Sequence, residues 1–248
     1  MYQFFICADE IREDGIHIYD SQNVNHIKNV LRMRPGEQIR LCCQEKEKEY
    51  ICSILSLSAE EIHARIEDID GENRELPCGI TLYQGLPKGD KMELIIQKAV
   101  ELGVGRIVPV SMKRCVMKLD EKKARKKVER WNTIAESAAK QSKRMRIPEV
   151  TGPMTWKQAL ADAKEAEALL IPYEDAKGMS HSREVLSAMR GKASIGIFIG
   201  PEGGFEESEV ETLRQAGGQV ITLGHRILRT ETAGMATLAI LMYLLEED

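Results

Sequence analysis

From about residue 78 onward, short apolar segments alternate with segments of helical periodicity, and this alternation limits the possible folds more than any other feature. The apolar segments, such as GITLYQGL, SIGIFIG and QVITLG, are nearly continuous apolar runs. Such runs predict strands buried on both faces, and their alternation with helices predicts a parallel sheet with helices on each side. We therefore predict an α/β fold that binds ligands at the carboxyl ends of its strands.

The N-terminal part has a different pattern. EQIRLCC, EYICSILSLS and EIHARIEDI are predicted strands, and NVNHIKNVLRM is a predicted short helix. These features indicate a small β-rich domain, which we expect to be a compact barrel. The polar segment DGENRELP, closed by a proline, is the predicted linker. The predicted domains are residues 1–72 and 73–248.

Composition excludes several classes of protein. With 43% hydrophobic and 30% charged residues, and no apolar run long enough to span a bilayer, the chain is expected to be soluble and not membrane-bound. Its N-terminus lacks the basic segment of a signal peptide. The six cysteines form no CxxC pair and the five histidines no HExxH motif. We therefore expect no structural zinc site or disulfide framework, and a cytoplasmic location.

Charge is unevenly distributed along the chain. Residues 113–146 contain thirteen Lys or Arg and four Asp or Glu, although the whole chain carries a formal net charge of −4. A basic segment in an otherwise acidic protein indicates a surface that docks a polyanion. A solvated helix with many internal ion pairs is the alternative, and charge alone does not decide between them.

Three strand ends carry unusual sequences. The first is LLIPYED, the second is FIGPEGGF with three glycines, and the third is LGHRILRTETAG, in which Thr230 is the predicted cap of the last helix. The second is not a P-loop, because the Lys-Ser/Thr of that motif is absent, and it is not a dinucleotide-binding fingerprint. Each alone is typical of an ordinary strand–helix turn. Together they occupy equivalent positions on successive strands and predict one ligand site.

The same segments carry a family resemblance. FIGPEGGF followed by LGHRILRTETAGMATLAIL closely resembles the SPOUT superfamily of knotted, S-adenosylmethionine-dependent RNA methyltransferases. NHIKNVLRMRPGEQI, QGLPKGDKMELIIQKAVELGV and ESAAKQSKRMRIPEV resemble the RsmE family, which methylates N-3 of a uridine in small-subunit (16S) ribosomal RNA. These motifs extend through nearly the whole chain. The family usually has an acid where this chain has Lys140, and often a glycine at Lys143, which indicates additional basic surface here.

The resemblance implies a fold with two parts. It implies a PUA-like β-barrel domain at the N-terminus and a C-terminal SPOUT α/β domain with a deep trefoil knot. Pattern alone would have given an unknotted doubly wound sheet. Threading would bring the three strand ends together as a pocket for S-adenosylmethionine. The cofactor-binding residues it implies are Ile171, Pro172, Tyr173, Ile199, Gly200, Gly203, Gly204, Leu223, Gly224, Ile227, Leu228, Arg229, Thr232 and Ala233.

The implied chemistry is transfer of a methyl group from a sulfonium to uridine N-3. The sulfonium leaves readily, so no metal is expected and the enzyme mainly aligns the reactants. Because protonated N-3 is a poor nucleophile, we expect Arg229 to stabilise developing negative charge and Glu202 or Glu231 to act as base. Alternatively, Arg229 forms a loop–helix salt bridge with one of these glutamates. Glu231 also suits the first turn of a helix without any catalytic role.

The expected partners are ribosomal RNA, in the small subunit or an assembly intermediate, and a second copy of the chain. The last helix is apolar nearly all round, so one domain core cannot cover its whole circumference. The family resemblance implies a homodimer, with the remaining apolar face as its interface. Two other functions remain open: a non-catalytic RNA-binding or ribosome-assembly factor, and a methyltransferase for another base or a ribose 2′-hydroxyl. His26 has a purely structural alternative. The predicted RNA contacts are His26, Arg32, Arg34, Lys88, Lys91, Gln141 and Arg144.

Overall fold

The structure, a computed structural model, describes residues 1–71, 73–174 and 178–246. The chain divides into two compact units, and each is described by itself. The first comprises Met1–Glu75 with Ala139–Arg146, and the second comprises Leu76–Ala138 with Ile147–Asp248. In the described part of the chain, no helix is long and apolar enough to cross a membrane.

The first unit is built on a six-stranded sheet. The strands are β1 (Tyr2–Ile6), β2 (Ile11–Arg12), β3 (Gly15–Ile18), β4 (Gln38–Cys43), β5 (Lys48–Leu57) and β6 (Ile62–Asp70). Their order in the sheet is β1-β4-β5-β6-β3-β2. β1 runs parallel to β4, and the other neighbouring pairs are antiparallel. The three strands predicted in this region are confirmed as β4, β5 and β6.

The predicted short helix of this unit consists of two different helical turns. Helix α1 (Ser21–Asn25) begins after Asp20, whose carboxylate accepts a hydrogen bond of 2.8 Å from the backbone N–H of Asn23. A π-helical turn, His26–Val30, continues it and buries Ile27 in the apolar core of the unit. The turn leaves His26 exposed, with its ring edge against Phe4.

The segment Ala139–Arg146 is fixed within the first unit by Arg144. The Arg144 side chain is buried and its Nε donates hydrogen bonds of 3.0 Å to both carboxylate oxygens of Glu75. Its carbonyl accepts a bond of 2.6 Å from Gln3. Because this guanidinium is engaged inside the protein, Arg144 is better explained as a structural residue than as the predicted RNA contact. The adjacent Lys143 has φ 58°, a conformation that favours glycine.

The second unit contains a seven-stranded sheet in which every pair is parallel, which confirms the predicted parallel sheet. The strands are β7 (Gly79–Gly85), β8 (Arg106–Ser111), β9 (Glu149–Val150), β10 (Met154–Thr155), β11 (Ala168–Pro172), β12 (Ser194–Ile199) and β13 (Gln219–Ile221). Their order is β10-β8-β7-β12-β11-β13, with β9 beside β8. The short strands β9 and β10 were not predicted.

Helices connect these strands largely as the periodicity predicts. In α2 the apolar positions Met92, Ile95, Ile96 and Ala99 are all buried, and Gly103 follows the helix with φ 89°. One helix was missed: α4, which Thr155 caps. The helices are α2 (Lys91–Glu101), α3 (Glu121–Gln141), α4 (Trp156–Ala163), α5 (Met179–Ser187), α6 (Glu207–Gln215) and α7 (Thr230–Leu245).

The strand order brings three loops to one edge of this sheet. β12 lies between β7 and β11, whereas the next strand, β13, pairs with the other side of β11. The connection through α6 therefore passes β11 to reach β13, and the chain then returns to α7, which packs on α2 and β12. Because the strands are parallel, the loops after β11, β12 and β13 all leave from their carboxyl ends.

Candidate functional site

A cavity of about 920 Å³ lies at this edge of the sheet, in the second unit. Its volume falls within the range of small-molecule and cofactor sites. Its walls come from the three loops and the start of α7, so the structure brings together most of the predicted cofactor and catalytic residues. Those that line it are Pro172, Tyr173, Ile199, Gly200, Glu202, Gly203, Gly204, Leu223, Gly224, Ile227, Leu228, Arg229 and Ala233.

Three predicted residues lie apart from the cavity wall. Ile171 is fully buried within β11, and Thr232 is exposed in the first turn of α7. Glu231 lies beside the cavity residue Lys91, with Oε2 3.6 Å from its Nζ. Sequence reasoning also missed residues that line the cavity, among them Thr222, Phe205 and Arg226. Thr222 could have been found from its place directly after β13, within the third junction.

Backbone groups of the third loop point to ligand recognition. Within the described residues, the N–H groups of Leu223, Ile227 and Leu228 donate no hydrogen bond to protein. All three residues line the cavity. Unpaired backbone donors beside aliphatic side chains suit a flat heterocycle, because the side chains cover its faces while the backbone bonds its edge.

Two glycines shape the cavity in opposite ways. A Cβ placed on Gly85, at the end of β7, would lie 2.7 Å from both the nitrogen and Cδ of Pro201. The loop after β12 therefore packs directly on the β7 backbone. Gly224 has φ 123°, and a Cβ there would meet no atom within 4 Å. The Gly85 side is closely packed, whereas the Gly224 side is open.

Thr230 joins the loop after β12 to the strand beside it. Its hydroxyl donates a hydrogen bond of 2.6 Å to the Gly200 carbonyl and accepts one of 2.8 Å from Nε2 of Gln84, which is fully buried. The predicted helix cap at Thr230 is wrong, because the N-cap is Arg229 and Thr230 is the first residue of α7. The hydroxyl instead holds the FIGPEGGF loop against α7.

We expect Thr230→Val to lower the free energy of unfolding by about 1–3 kcal/mol, because it removes the bond to Gly200 and deprives buried Gln84 of an acceptor. Valine keeps the shape of the side chain, so packing is little changed. Denaturant unfolding would measure the difference. Thr232→Val is the matched control, since that residue is exposed in the same helical turn. Equal stability of the two variants would contradict the assigned role.

Lys91 organises the acidic groups beside the cavity. Its Nζ lies 2.9 Å from Oε1 of Glu202 and 3.6 Å from Oε2 of Glu231. Partial burial acts to raise the pKa of Glu202, but hydrogen bonds from Lys91 and from the backbone N–H of Lys88 hold that pKa below its ordinary value. The Glu202 hydrogen bond in turn raises the pKa of Lys91. Oε2 of Glu231 is buried and accepts no hydrogen bond from the described residues.

Arg229 lies at the cavity wall with its side chain exposed. Among the described residues its guanidinium has neither a hydrogen-bond partner nor an ion-pair partner. The alternative of a salt bridge with Glu202 or Glu231 is therefore not found, since both carboxylates face Lys91. A guanidinium at the edge of a cavity is available to an anionic group of a ligand.

The other predicted RNA contacts occupy separate places. In the first unit His26, Arg32, Arg34 and Gln141 are exposed. In the second unit Lys88 is exposed and Lys91 is a cavity residue.

Helix α3 supplies most of the basic segment. Lys123 pairs with Asp120 and Arg130 with Glu93, as expected for a helix with ion pairs. Lys122, Arg125 and Lys126 are exposed, and no side-chain partner for them occurs in the described part of the chain. This trio is the part of the segment that best fits a phosphate-binding surface.

Known proteins share this arrangement over the whole chain. The family model of an RNA methyltransferase domain matches residues 74–242, and that of an RNA methyltransferase PUA domain matches residues 18–67. The ribosomal RNA small subunit methyltransferase E of Bacillus subtilis is 39% identical, covering 98% of this chain and 96% of that protein. The protein of the same description from Aquifex aeolicus is 32% identical, covering 86% and 94%.

A solved structure matches as well. The crystal structure of a ribosomal RNA small subunit methyltransferase E from Neisseria gonorrhoeae bound to S-adenosyl methionine superposes with a TM-score of 0.83 at 34% identity, covering 98% of each chain. Sequence and fold therefore match those of known proteins over nearly the whole chain. The chain belongs to the ribosomal RNA small subunit methyltransferase E family.

Proposed function

We propose that this protein transfers the methyl group of S-adenosylmethionine to N-3 of a uridine in small-subunit ribosomal RNA. The observation that carries the proposal is the cavity at the carboxyl ends of β11, β12 and β13, with Arg229 at its wall. Membership of the ribosomal RNA small subunit methyltransferase E family supports both methyl transfer as the activity and small-subunit ribosomal RNA as the substrate. The compartment in which we place the reaction is the cytoplasm, where small ribosomal subunits are assembled.

The residues present fit S-adenosylmethionine. The backbone of Leu223, Ile227 and Leu228 suits the edge of adenine, and the open side of Gly224 allows close approach of a ligand. The cavity volume of about 920 Å³ is sufficient for a cofactor of this size. When bound, the cofactor supplies an activated methyl group on a sulfonium.

Arg229 and a glutamate would act on the uracil ring. Removal of the N-3 proton leaves negative charge on the two flanking carbonyl oxygens. Because the Arg229 guanidinium has no protein partner among the described residues, we assign it to stabilise that charge with paired N–H donors.

Glu231 is the better base of the two candidates. Glu202 is held as an anion by Lys91 and by a backbone N–H, and its lowered pKa makes it a weak proton acceptor. Glu231 has a buried carboxylate oxygen that accepts no hydrogen bond from the described residues. Lys91 Nζ is 3.6 Å from that oxygen but 2.9 Å from Oε1 of Glu202, so Glu231 is held less tightly as an anion and is freer to accept the N-3 proton.

We further propose the finer features of the fold. The crossing from β12 over β11 to β13, followed by the return to α7, supports a deep trefoil knot in the second unit. The six-stranded sheet and the match to a PUA domain support a PUA-like barrel in the first unit.

A homodimer is supported by the last helix. Tyr243 on α7 is 80% exposed, and Leu94 on the neighbouring helix α2 is 44% exposed. Exposed apolar side chains on two packed helices form a surface that a second copy would cover. Light scattering at micromolar concentration is expected to give the mass of a dimer, and a monomer would contradict this part of the proposal.

RNA affinity is expected to depend strongly on salt, because Lys122, Arg125 and Lys126 would each contact a phosphate. Three such contacts lower the affinity about 20- to 40-fold between roughly 50 and 200 mM salt. Filter binding or fluorescence anisotropy would measure this dependence. Replacing the three residues with alanine should flatten the slope, whereas Lys123→Ala, which removes a paired lysine, should change it little. A slope unaffected by the triple variant would exclude α3 as the docking surface.

The activity itself is tested by mass spectrometry of nucleosides. Small-subunit RNA and assembled subunits are each incubated with the enzyme and isotopically labelled S-adenosylmethionine. The expected product is uridine labelled at N-3. Label on a ribose or on another base would contradict the proposed target. Absence of any label, together with absence of cofactor binding by calorimetry, would favour a non-catalytic RNA-binding factor.

A further inference from the structure

The first unit brings together two histidines that are far apart in sequence. His17 in β3 and His63 in β6 are direct partners in the antiparallel register, so both side chains lie on the same face of the sheet. Their rings stack with centroids 4.2 Å apart and an interplanar angle of 16°. Motifs of the HExxH or CxxC type do not include this pair, because the two residues meet through strand pairing.

Asp14 completes a set of three ligands. It lies between β2 and β3, with Oδ1 at 3.1 Å from Nε2 of His17 and Oδ2 at 4.0 Å from Nε2 of His63. One ligand atom from each residue lies within 4.8 Å of the others. Ligands of a tetrahedral Zn²⁺ ion are about 3.3 Å apart for metal–ligand bonds near 2.0 Å. Small side-chain rotations would therefore bring all three atoms to bonding distance.

The local backbone supports this arrangement. Gly15 has φ 139°, and a Cβ there would lie 2.5 Å from the Ala64 carbonyl and 3.1 Å from Nε2 of His63. Only glycine lets the turn approach His63 closely. The Asp14 carbonyl oxygen lies 3.3 Å from the same nitrogen, and it adds a further oxygen beside the three ligands.

Glu61 orients the first histidine. Its carboxylate contacts Nδ1 of His17, on the opposite side of the ring from Asp14. A carboxylate on the outer nitrogen of a ligating histidine fixes the tautomer and raises the basicity of the ligand. Nε2 of His17 is thereby directed at Asp14 and His63.

We infer that Asp14, His17 and His63 form a binding site for Zn²⁺, with Glu61 as its supporting carboxylate. Two imidazoles and one carboxylate suit zinc, and the nitrogen donors disfavour Mg²⁺ and Ca²⁺. Water would complete the coordination, since Asp14 is exposed. On binding, the ion would take the position of the proton between Nε2 of His17 and Asp14, which passes to solvent, and neutral His63 would carry its proton on Nδ1 so that Nε2 can ligate. The site would stabilise the first unit and takes no part in the proposed methyl transfer.

Calorimetry of the full chain with Zn²⁺ tests the inference. One ion should bind per chain and should raise the unfolding temperature of the protein. Asp14→Asn, His17→Ala and His63→Ala should each weaken binding by at least about tenfold, and Glu61→Gln by about 10- to 100-fold. His181→Asn, on α5, is the matched control and should bind like the wild type.

The ligand type is checked with Co²⁺. Nitrogen and oxygen ligands give weak visible bands, whereas thiolate ligation adds strong near-ultraviolet absorption, which would point to a cysteine such as the exposed Cys7. Thiolate absorption, no saturable Zn²⁺ binding, or binding unchanged in Asp14→Asn and His63→Ala would overturn the inference. Asp14 is exposed in a turn, so its substitution keeps the test valid if a histidine variant fails to fold.

Discussion

Arg229→Ala is expected to lower kcat/KM for methylation by about 10²- to 10³-fold while leaving the fold intact. The exposed guanidinium lies at the cavity wall, so its loss removes a charge-stabilising donor without opening a cavity in the core. Arg229 is the N-cap of α7, and its backbone carbonyl, which accepts a hydrogen bond of 2.8 Å from the N–H of Ala233, is kept in the variant. Single-turnover methylation assays and thermal unfolding together would measure both parts of the prediction.

Arg226→Ala is the matched control for Arg229. It removes another exposed arginine that lines the same cavity, three residues earlier in the chain. If the position of the Arg229 charge matters, Arg226→Ala should reduce the rate of methylation far less than Arg229→Ala does. Calorimetry should give similar S-adenosylmethionine affinities for the two variants. Equal losses of rate would mean that Arg229 contributes only general positive charge.

Glu231→Gln is expected to reduce kcat by about 10²-fold or more, because the amide cannot accept the N-3 proton. Glu202→Gln should reduce it by less than about tenfold, since that carboxylate serves mainly to hold Lys91. Rapid-quench measurement of one methyl transfer would separate the chemical step from product release. A larger loss in Glu202→Gln would reverse the assignment of the base.

The Glu202–Lys91 pair also has an expected pH dependence. The pKa of Glu202 is lowered in the folded protein, so its contribution to stability is complete above its ordinary value of 4.5 and is lost as pH falls through the lower value. Thermal unfolding of the wild type and of Glu202→Gln should therefore differ at neutral pH and converge in acid. A constant difference at every pH would contradict the pair's role.

The sheet of the second unit was predictable because its strands are continuous apolar runs. Segments such as SIGIFIG can be buried on both faces only in a parallel sheet with helices on each side, and β12 has this environment. β9 and β10 escaped prediction because two residues carry no periodicity. The short β1 and β3 were missed for a related reason, since each is too short for a strong pattern.

The sequence predicted the loops that form the site better than it predicted the contacts between their side chains. The glycines and Arg229 could be predicted as site residues because they lie at the three strand ends. The contact of Lys91 with both glutamates could not, because it depends on packing between α2 and α7. Arg144 illustrates the opposite error, because a basic residue in a basic segment resembles a phosphate contact until its partner Glu75 is known. Pairing across about 70 positions leaves no local signal in one sequence.

The close contact between Gly85 and Pro201 restricts how the cavity could be redesigned for bulkier analogues of its cofactor. Space cannot be gained on that side, because β7 and the loop already touch backbone to backbone. Substitutions that enlarge the cavity would have to be made at the opposite wall, where Ile227 is 84% exposed and Gly224 adjoins open space. Trimming Ile227 to alanine is the change we expect to admit a bulkier substituent at the edge of the adenine, where the backbone of this residue is placed.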